Sequence, residues 1–198
     1  MGTDGRSDTN GERGINGERG RFVVMTPDQR PRKERQAVRV IMIDDHDRVL
    51  LFQDTDPGCP GVSWWVTPGG GIDPGETETD AAVRELAEET GYQGRADELI
   101  GPLAVRRAVH GYSDQILVQD ETFYALRVRP FEIDISGHTE DEQLTIAGHR
   151  WWPADDLTDP DGWLWPAELA ELVALADNPG DRPRDLGTQE ESTVPLGS

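Results

Sequence analysis

The chain of 198 residues contains one lysine and one cysteine, and its apolar runs are only a few residues long. A single cysteine, Cys59, cannot form an internal disulfide bond. In the first 33 residues the stretch 23–25 is the only apolar patch, and it is too short for a signal peptide or a membrane span. We therefore expect a cytoplasmic protein that has no membrane partner.

Positive charge is also scarce, since the net charge of the chain is −20. The first 33 residues carry +2, so the remaining residues carry −22. Binding to a polyanion depends on lysine and arginine side chains that neutralise phosphates, and a body this acidic repels long RNA or DNA. We expect no long nucleic acid as partner. Composition does not fix the oligomeric state, and a homodimer is compatible with it.

The two ends of the chain differ from its middle. Residues 1–33 hold two copies of Asn-Gly-Glu-Arg-Gly and almost no apolar residues, so they cannot bury a core. Residues 177–198 are rich in proline, glycine and charge. We predict one domain at 34–176, flanked by disordered tails at 1–33 and 177–198.

Within this domain, β-branched and apolar runs predict a sheet, and two amphipathic segments predict helices. The order of strands and helices indicates an α/β or α+β fold with a mixed sheet flanked by helices. The predicted strands are 37–43, 48–53, 64–67, 99–105, 115–118, 121–128 and 150–152, and the predicted last helix is 163–176.

The most informative segment is 70–92, GGIDPGETETDAAVRELAEETGY, in which a glycine turn precedes an acidic helix. Thr77 has the position of a helix cap, and Gly91 ends the helix. Glu85, Glu88 and Glu89 have the i, i+3, i+4 spacing that brings side chains to one helix face. Three clustered anions repel one another unless a cation lies between them. Carboxylates are hard ligands, so the pattern predicts a Mg²⁺ site for a phosphate compound.

This segment resembles the signature of the Nudix hydrolase family at each fixed position. The matching residues are Gly70, Glu76, Arg84, Glu85, Leu86, Glu88, Glu89 and Gly91. The resemblance implies an α/β/α sandwich. It also implies that Arg84 and Glu76 brace the loop against the helix, and that Glu85, Glu88, Glu89 and the carbonyl of Gly70 bind Mg²⁺, or Mn²⁺ in its place.

Further site residues are predicted more loosely. Members of this family often place an extra acid late in the chain, which makes Glu142 a candidate. Arg106 and Arg107 are candidates for binding substrate phosphate, with a surface ion pair as the alternative. Trp64 and Tyr124 are candidate contacts for a substrate base, although such side chains more often belong to the core.

Together with the acidic helix, the resemblance implies a Mg²⁺-dependent pyrophosphohydrolase that cleaves a nucleoside diphosphate linked to another group, and the negative charge of the chain favours a small nucleotide as substrate. A carboxylate accepts a proton from the attacking water, and Glu85, Glu88 and Glu142 are the candidates, with Arg84 as the supporting cation. Two alternatives share the fold. One is a catalytically silent, nucleotide-sensing regulator, and the other is an enzyme like the prenyl-diphosphate isomerases.

Overall fold

The structure, a computed structural model, describes residues 24–158, 160, 162–178 and 182–197. Short 3₁₀ turns lie at Pro27–Gln29, Ala96–Glu98 and Ala154–Thr158. The strands and helices of the described residues are, in chain order, β1 (Arg32–Asp44), β2 (Arg48–Thr55), β3 (Ser63–Val66), α1 (Glu78–Thr90), β4 (Ile100–Gly111), β5 (Ile116–Val128), α2 (Glu140–Thr145), β6 (Ile146–Pro153), β7 (Trp163–Trp165), α3 (Leu169–Asp177) and β8 (Arg184–Glu190).

The described strands form one mixed sheet in the order β7-β3-β2-β1-β5-β4-β8, and β6 pairs with β2 outside this path. β1 lies parallel to β5 along its whole length, from Arg32 opposite Ile116 to Asp44 opposite Val128. β4 pairs antiparallel with β5 and parallel with β8. The mixed sheet predicted from the sequence is confirmed.

Alternate residues of β1 pack against helices on opposite faces of the sheet. Val38, Val40 and Met42 belong to the apolar cluster that includes Leu86 of α1. Ile41 and Ile43, which alternate with them, belong to the cluster that includes leucines of α3. Side chains alternate between the faces of a strand, so β1 is covered on both faces, as in an α/β/α sandwich.

Helix α1 begins and ends where the sequence predicts. The hydroxyl of Thr77 accepts a hydrogen bond from the Asp80 N–H at 3.2 Å, and Gly91 has the left-handed φ of 73° that ends many helices. Ala82 and Leu86 are fully buried against the sheet. None of the helices in the described residues is long and apolar enough to cross a membrane.

The prediction for the last helix is wrong at its beginning. Trp163–Trp165 is a short strand, β7, that pairs parallel with β3, and α3 begins only at Leu169. Pro166 explains the difference, because the ring of a proline disfavours helical φ/ψ angles at the residue before it. The spacing of the leucines nevertheless predicted the buried face of α3 correctly.

The two predicted tails have different outcomes. Residues 1–23 lie outside the described residues, while β1 already begins at Arg32, inside the predicted N-terminal tail. The prediction of a disordered C-terminal tail is wrong for residues 184–190, which form β8 beside β4. Glu191 follows the strand and is 8% exposed. This segment docks through backbone pairing and ion pairs, which its low apolar content did not reveal.

Candidate metal centre

The loop between β3 and α1 runs back along β1 before the helix begins. The Val38 N–H donates to the carbonyl of Gly70 at 2.9 Å, and the Val40 N–H donates to the carbonyl of Pro68 at 2.8 Å. Gly69 has a φ of 131°, and a Cβ atom there would lie 2.2 Å from the carbonyl oxygen of Val38. Only glycine fits this position, because any side chain would collide with the backbone of β1.

Gly70 lies directly against a carboxylate of α1. A Cβ atom at Gly70 would lie 2.7 Å from the carboxylate atoms of Glu85. The absence of a side chain therefore lets Glu85 approach the loop backbone. The carbonyl of Gly70 accepts one hydrogen bond, from Val38, and a carbonyl oxygen has a second lone pair for another partner.

Three carboxylates meet at this loop. Glu85 and Glu89 of α1 and Glu142 of α2 each offer one oxygen atom, and these atoms lie within 4.8 Å of one another. Glu85 and Glu89 are buried, at 7% and 6% exposure. Glu142 is oriented by the N–H of Thr139, which donates to its carboxylate at 2.7 Å. We call Glu85, Glu89 and Glu142 the carboxylate cluster; the predicted ligand Glu88 lies beside it, with a side chain that is 48% exposed.

The cluster is electrostatically strained as it stands. Burial raises the pKa of Glu89 well above its ordinary value, and the Gly69 N–H, which donates to Glu89 at 2.7 Å, opposes the rise only in part. Burial also raises the pKa of Glu85, where Arg84 opposes the rise and the charge of Glu142 adds to it. Carboxylates this close together are stable as anions only when a cation neutralises them.

Arg84 holds the loop and the helix together. Its Nε and Nη2 atoms each donate to one oxygen of Glu76 at 2.9 Å, and Nη2 also donates to the carbonyl of Gly71 at 2.9 Å. Its Nη1 atom donates to Glu85 at 2.8 Å and to Glu88 at 3.1 Å. The guanidinium therefore braces the site, as the resemblance implied, and all its nitrogen atoms are engaged.

The donor atoms fit a divalent cation. Carboxylate and carbonyl oxygens are the ligands that Mg²⁺ and Mn²⁺ prefer, and Arg84 neutralises only one edge of the cluster. The described residues contain one other group of metal-ligating side chains, Asp44, Asp45 and His46. That group needs no metal, because Arg48 forms an ion pair with the buried Asp44 at 2.6 Å.

The cluster opens into a cleft of about 880 Å³. Lys33 and Arg35 of β1 line this cleft together with Glu85 and Glu88. The Nε atom of Arg35 donates to the side chain of Gln119 at 2.7 Å. Within the described part of the chain, the two terminal nitrogens of Arg35 have no hydrogen-bond acceptor, so they are available to an anion in the cleft.

The structure does not place the predicted phosphate-binding arginines at the cluster. Arg106 is 5% exposed, and it donates to Glu121 at 2.7 Å and to Glu191 at 2.6 and 3.0 Å. Arg107 lies on the surface and pairs with Asp120 at 2.8 Å. The prediction that they bind substrate is therefore corrected. Their neighbours on β5 and after β8 come from distant parts of the sequence, so the pairs were not foreseen.

The predicted aromatic contacts are core residues. Trp64 is 1% exposed and stacks between Trp165 and Tyr112, with ring centroids 4.4 and 5.9 Å apart. Tyr124 is 6% exposed and donates its hydroxyl to Glu78 at 2.7 Å. Neither ring faces the cleft, and the alternative that they pack in the interior is the correct one.

Sequence reasoning missed the cationic side of the cleft. Lys33, Arg35 and Arg39 lie at alternate positions of β1, at intervals of two and four residues, so they share one side of an extended strand. This alternation is present in Lys-Glu-Arg-Gln-Ala-Val-Arg, but the low apolar content of residues 1–33 predicts a tail that includes Lys33. The parallel pairing of β1 with β5, which brings Gln119 to Arg35, has no local signal.

Comparisons with known proteins agree with this geometry. The sequence profile described as NUDIX domain matches residues 33–173. The chain is 41% identical over 145 residues to an RNA pyrophosphohydrolase of Novosphingobium aromaticivorans, an alignment that covers 70% of this chain and 82% of that protein. It is also 41% identical over 66 residues to a putative 8-oxo-dGTP diphosphatase of Bacillus subtilis, covering 33% of this chain and 41% of that protein.

A solved structure supports the fold. A MutT protein from Bacillus halodurans superposes with a TM-score of 0.52 at 20% identity, covering 80% of this chain and 91% of that one. At this identity the likeness concerns the architecture of the sheet and its flanking helices. The residues of the cleft are therefore interpreted from their own geometry.

Proposed function

Since the chain belongs to the NUDIX domain family, we propose that it is a Mg²⁺-dependent pyrophosphohydrolase that cleaves a nucleoside diphosphate linked to another group and releases a nucleotide. The observation that carries the proposal is the carboxylate cluster, in which one oxygen atom from each of the three side chains lies within 4.8 Å of the others, beside a cleft whose lining includes Lys33 and Arg35. Mn²⁺ has the same ligand preferences and can replace Mg²⁺.

Different residues of the site would hold the metal, accept the proton and position the helix. Glu85, Glu89 and Glu142 would hold the metal together with the carbonyl of Gly70. When bound, the metal would neutralise the diphosphate and lower the pKa of a water molecule. Glu88, on the rim of the same helix face, is the ligand candidate nearest to solvent; Arg84 contacts one of its oxygens, and Glu88 would accept a proton from that water. Arg84 keeps the helix and the loop in fixed relative positions.

Lys33 and Arg35, which form the cationic wall of the cleft, would bind the phosphates. Arg35 is held by Gln119 and keeps its two terminal nitrogens for a phosphate oxygen pair, which suits the planar fork of arginine. Lys33 adds a second charge at the same wall. A cleft of about 880 Å³ has the size of sites for nucleotide-sized ligands.

The cleft is also lined by acidic and aromatic side chains. Among them are Asp54, Tyr112 and Asp114, and burial raises the pKa of Asp54 above its ordinary value. Carboxylates and a phenol accept hydrogen bonds from the N–H and O–H groups of a base or a sugar. These groups support a small nucleotide over a simple diphosphate as substrate.

A second candidate substrate is the 5′ pyrophosphate of an RNA chain. It is favoured by the names of two relatives, the Novosphingobium protein and an RNA pyrophosphohydrolase of Erythrobacter litoralis that is 31% identical over 133 residues. The charge of −22 beyond residue 33 argues against it, because a longer strand would lie along an acidic surface.

A silent regulator or an isomerase is less well supported, because the metal-binding carboxylates are complete. The proposal includes a cytoplasmic location and, as the alternative to a monomer, a homodimer.

The test is a substrate panel with Mg²⁺, with Mn²⁺ and with neither. It contains nucleoside triphosphates, sugar nucleotides, dinucleoside polyphosphates and a short RNA with a 5′ triphosphate, and the release of phosphate or nucleotide is measured. We expect metal-dependent cleavage of a small nucleotide that is lost in Glu89→Gln. Preferred cleavage of the RNA would replace the small-nucleotide proposal, and a wild-type protein that cleaves no compound with either metal would refute the enzyme proposal.

A further inference from the structure

A second group of buried charged side chains comes from β1, β4, β5 and the residue after β8. Glu121 of β5 accepts hydrogen bonds from Arg39 at 2.9 Å and from Arg106 at 2.7 Å, one on each of its oxygens. Arg106 also pairs with both oxygens of Glu191, at 2.6 and 3.0 Å. We call Arg39, Arg106, Glu121 and Glu191 the charge network. Its two cations and two anions balance, and the side chains of Arg106 and Glu121 are 2% and 0% exposed.

The network ends at the metal centre. The Nη1 atom of Arg39 donates to the carbonyl of Gly69 at 2.9 Å, and the N–H of the same Gly69 donates to Glu89 at 2.7 Å. One residue of the loop thus connects Arg39 to a member of the carboxylate cluster. Because Gly69 is held on both sides of its backbone, its position depends on where the guanidinium of Arg39 lies.

A side branch reaches the cationic wall of the cleft. The Gln119 side chain donates to Glu121 at 3.2 Å and accepts from the Nε atom of Arg35 at 2.7 Å. The orientation of the Gln119 amide is therefore set by Glu121, and it fixes Arg35 in turn. The charge network contacts both functional sides of the cleft, through the Gly69 loop and through Gln119.

One member of the network comes from the C-terminal segment, residues 184–197. This segment follows the stretch matched by the family profile, which ends at residue 173. Its backbone is anchored on β4, because the Glu191 N–H donates to the carbonyl of Val109 at 3.0 Å and His110 donates to the Glu191 carbonyl at 3.1 Å. Its Gln189 side chain accepts a further hydrogen bond from Arg106 at 2.7 Å.

Glu191 determines how Glu121 is shared between the two arginines. Burial alone would raise the pKa of Glu121, but Arg39 and Arg106 lower it to about 2, so it is an anion at neutral pH. Without the charge of Glu191, the network would hold two cations and one anion in a buried site. Arg106 would then compete with Arg39 for Glu121, and the hold of Arg39 on the Gly69 loop would weaken.

We propose that Glu191 is a positioning residue for the metal centre, so that the C-terminal segment completes the site from outside the family domain. The inference rests on the metal-binding part of the proposed function. Partners that orient metal ligands typically change metal affinity by ~10–100-fold when they are removed. A neutral side chain at position 191 should therefore weaken metal binding without touching any ligand.

The experiment measures Mn²⁺ affinity of the full chain by electron paramagnetic resonance, without substrate. We expect Glu191→Gln to weaken Mn²⁺ binding by about tenfold, and Glu190→Gln, the matched control on the exposed neighbouring residue, to leave it unchanged. Glu89→Gln protein supplies the background of weak binding to the acidic surface. Hydrogen exchange of the loop peptide 67–71 should become faster in Glu191→Gln and stay unchanged in Glu190→Gln.

A double variant separates positioning from simple stabilisation. Arg106→Gln with Glu191→Gln leaves one cation and one anion, Arg39 and Glu121, so Mn²⁺ affinity should return to within about threefold of wild type. If Glu191→Gln alone does not fold, Mn²⁺ affinity is measured on the double variant instead. Glu191→Asp, which keeps the charge, is expected to bind Mn²⁺ like wild type. Wild-type Mn²⁺ affinity in Glu191→Gln would overturn the proposal, and so would equally weak binding in Glu191→Gln, Glu190→Gln and the double variant.

This outcome is distinguishable from failure of the proposed function. The experiment measures Mn²⁺ affinity and does not require hydrolysis. A protein that binds Mn²⁺ but cleaves no tested substrate would therefore still show whether Glu191 affects metal binding. Conversely, a wild-type protein without a Mn²⁺ site sensitive to Glu89→Gln would overturn the metal centre itself and this inference with it.

Discussion

The carboxylate cluster and the charge network are neighbours that treat buried charge in opposite ways. The cluster brings three anions within 4.8 Å of one another and leaves their repulsion only partly compensated by Arg84. The network holds Arg39, Arg106, Glu121 and Glu191 in balanced pairs. The Gly69 backbone is hydrogen-bonded to both of them.

The difference shows how a fold distinguishes a binding site from a structural support. Balanced, hydrogen-bonded charges need no ligand, and losing one member leaves a partner buried and unpaired. An unbalanced cluster costs stability until a cation binds, so losing one member relieves repulsion. The same substitution, glutamate to glutamine, should therefore have opposite effects on the stability of the metal-free protein in the two regions.

Among these substitutions, Glu121→Gln should have the largest effect on stability, because it removes one anion from the balanced charge network. It leaves Arg39 and Arg106 with one anion between them, and the free energy of unfolding should fall by about 3–5 kcal/mol. Urea denaturation of the metal-free protein measures it. Asp120→Asn is the matched control, because Asp120 is the exposed neighbour that pairs with Arg107, and it should cost less than about 1 kcal/mol. Equal costs for the two variants would contradict the role of the network.

His110 adds a pH dependence to the network side. Burial lowers the pKa of His110 to about 4 from an ordinary 6.5, so its ring is neutral in the folded protein. Between pH 6.5 and 4 the unfolded chain binds a proton that the folded protein does not, so this contribution to stability is complete above pH 6.5 and is lost as pH falls toward 4. The loss should reach about 3 kcal/mol.

The measurement is the difference between wild type and His110→Gln in urea titrations from pH 7 to 4. A difference is needed because Glu85 and Glu89, whose pKa values are raised, gain protons on folding as pH falls and oppose the trend. The wild-type protein should lose more stability than the variant across this range. Parallel curves for the two proteins would show that His110 does not titrate as proposed.

Glu89→Gln tests the unbalanced side. Activity should fall about a hundredfold, because the substitution removes the charge of a proposed metal ligand and keeps its shape. The thermal midpoint without metal should stay level or rise, since repulsion with Glu85 is relieved. Steady-state kinetics and calorimetry on the same preparation measure both. Activity like that of wild type, or a lower midpoint than wild type without metal, would place Glu89 with the structural charges instead.

Arg35→Gln should have the smallest effect, and it tests whether a residue that the network holds in place also binds substrate. Arg35 is fixed by the network through Gln119 but faces the cleft, so its loss should raise KM about tenfold with little change in kcat. Arg107→Gln is the control, because Arg107 of β4 pairs with Asp120 and Glu34, whose side chains lie on the opposite face of the sheet from Arg35. Equal KM values for both variants would remove Arg35 from the substrate site.

The sequence predicted the cluster better than the network because the cluster is local. Glu85 and Glu89 are one helical turn apart, Thr77 and Gly91 mark the ends of the same helix, and the glycine loop precedes it directly. Helical geometry alone brings these residues together. Glu142 also was found, but only through the family resemblance, since no periodicity connects it to α1.

The network could not be predicted because its pairs join distant segments. Arg39 and Glu121 meet only because β1 and β5 are parallel neighbours, and Arg106 meets Glu191 only because β8 adds to the edge beside β4. The segment that carries Glu191 is polar, and polarity is the usual mark of a disordered tail. The composition of a segment shows how much apolar surface it can bury. It does not show whether the rest of the fold offers buried partners for its charged side chains.

The scarcity of lysine has a practical consequence. Lys33 is the only lysine of the chain, its side chain is exposed, and it lines the cleft beside Arg35. Apart from the α-amino group, an amine-reactive fluorophore would therefore attach at one place, Lys33 in the lining of the cleft. The molecule already contains a single chemical handle from which ligand entry can be followed by fluorescence, with no engineered residue.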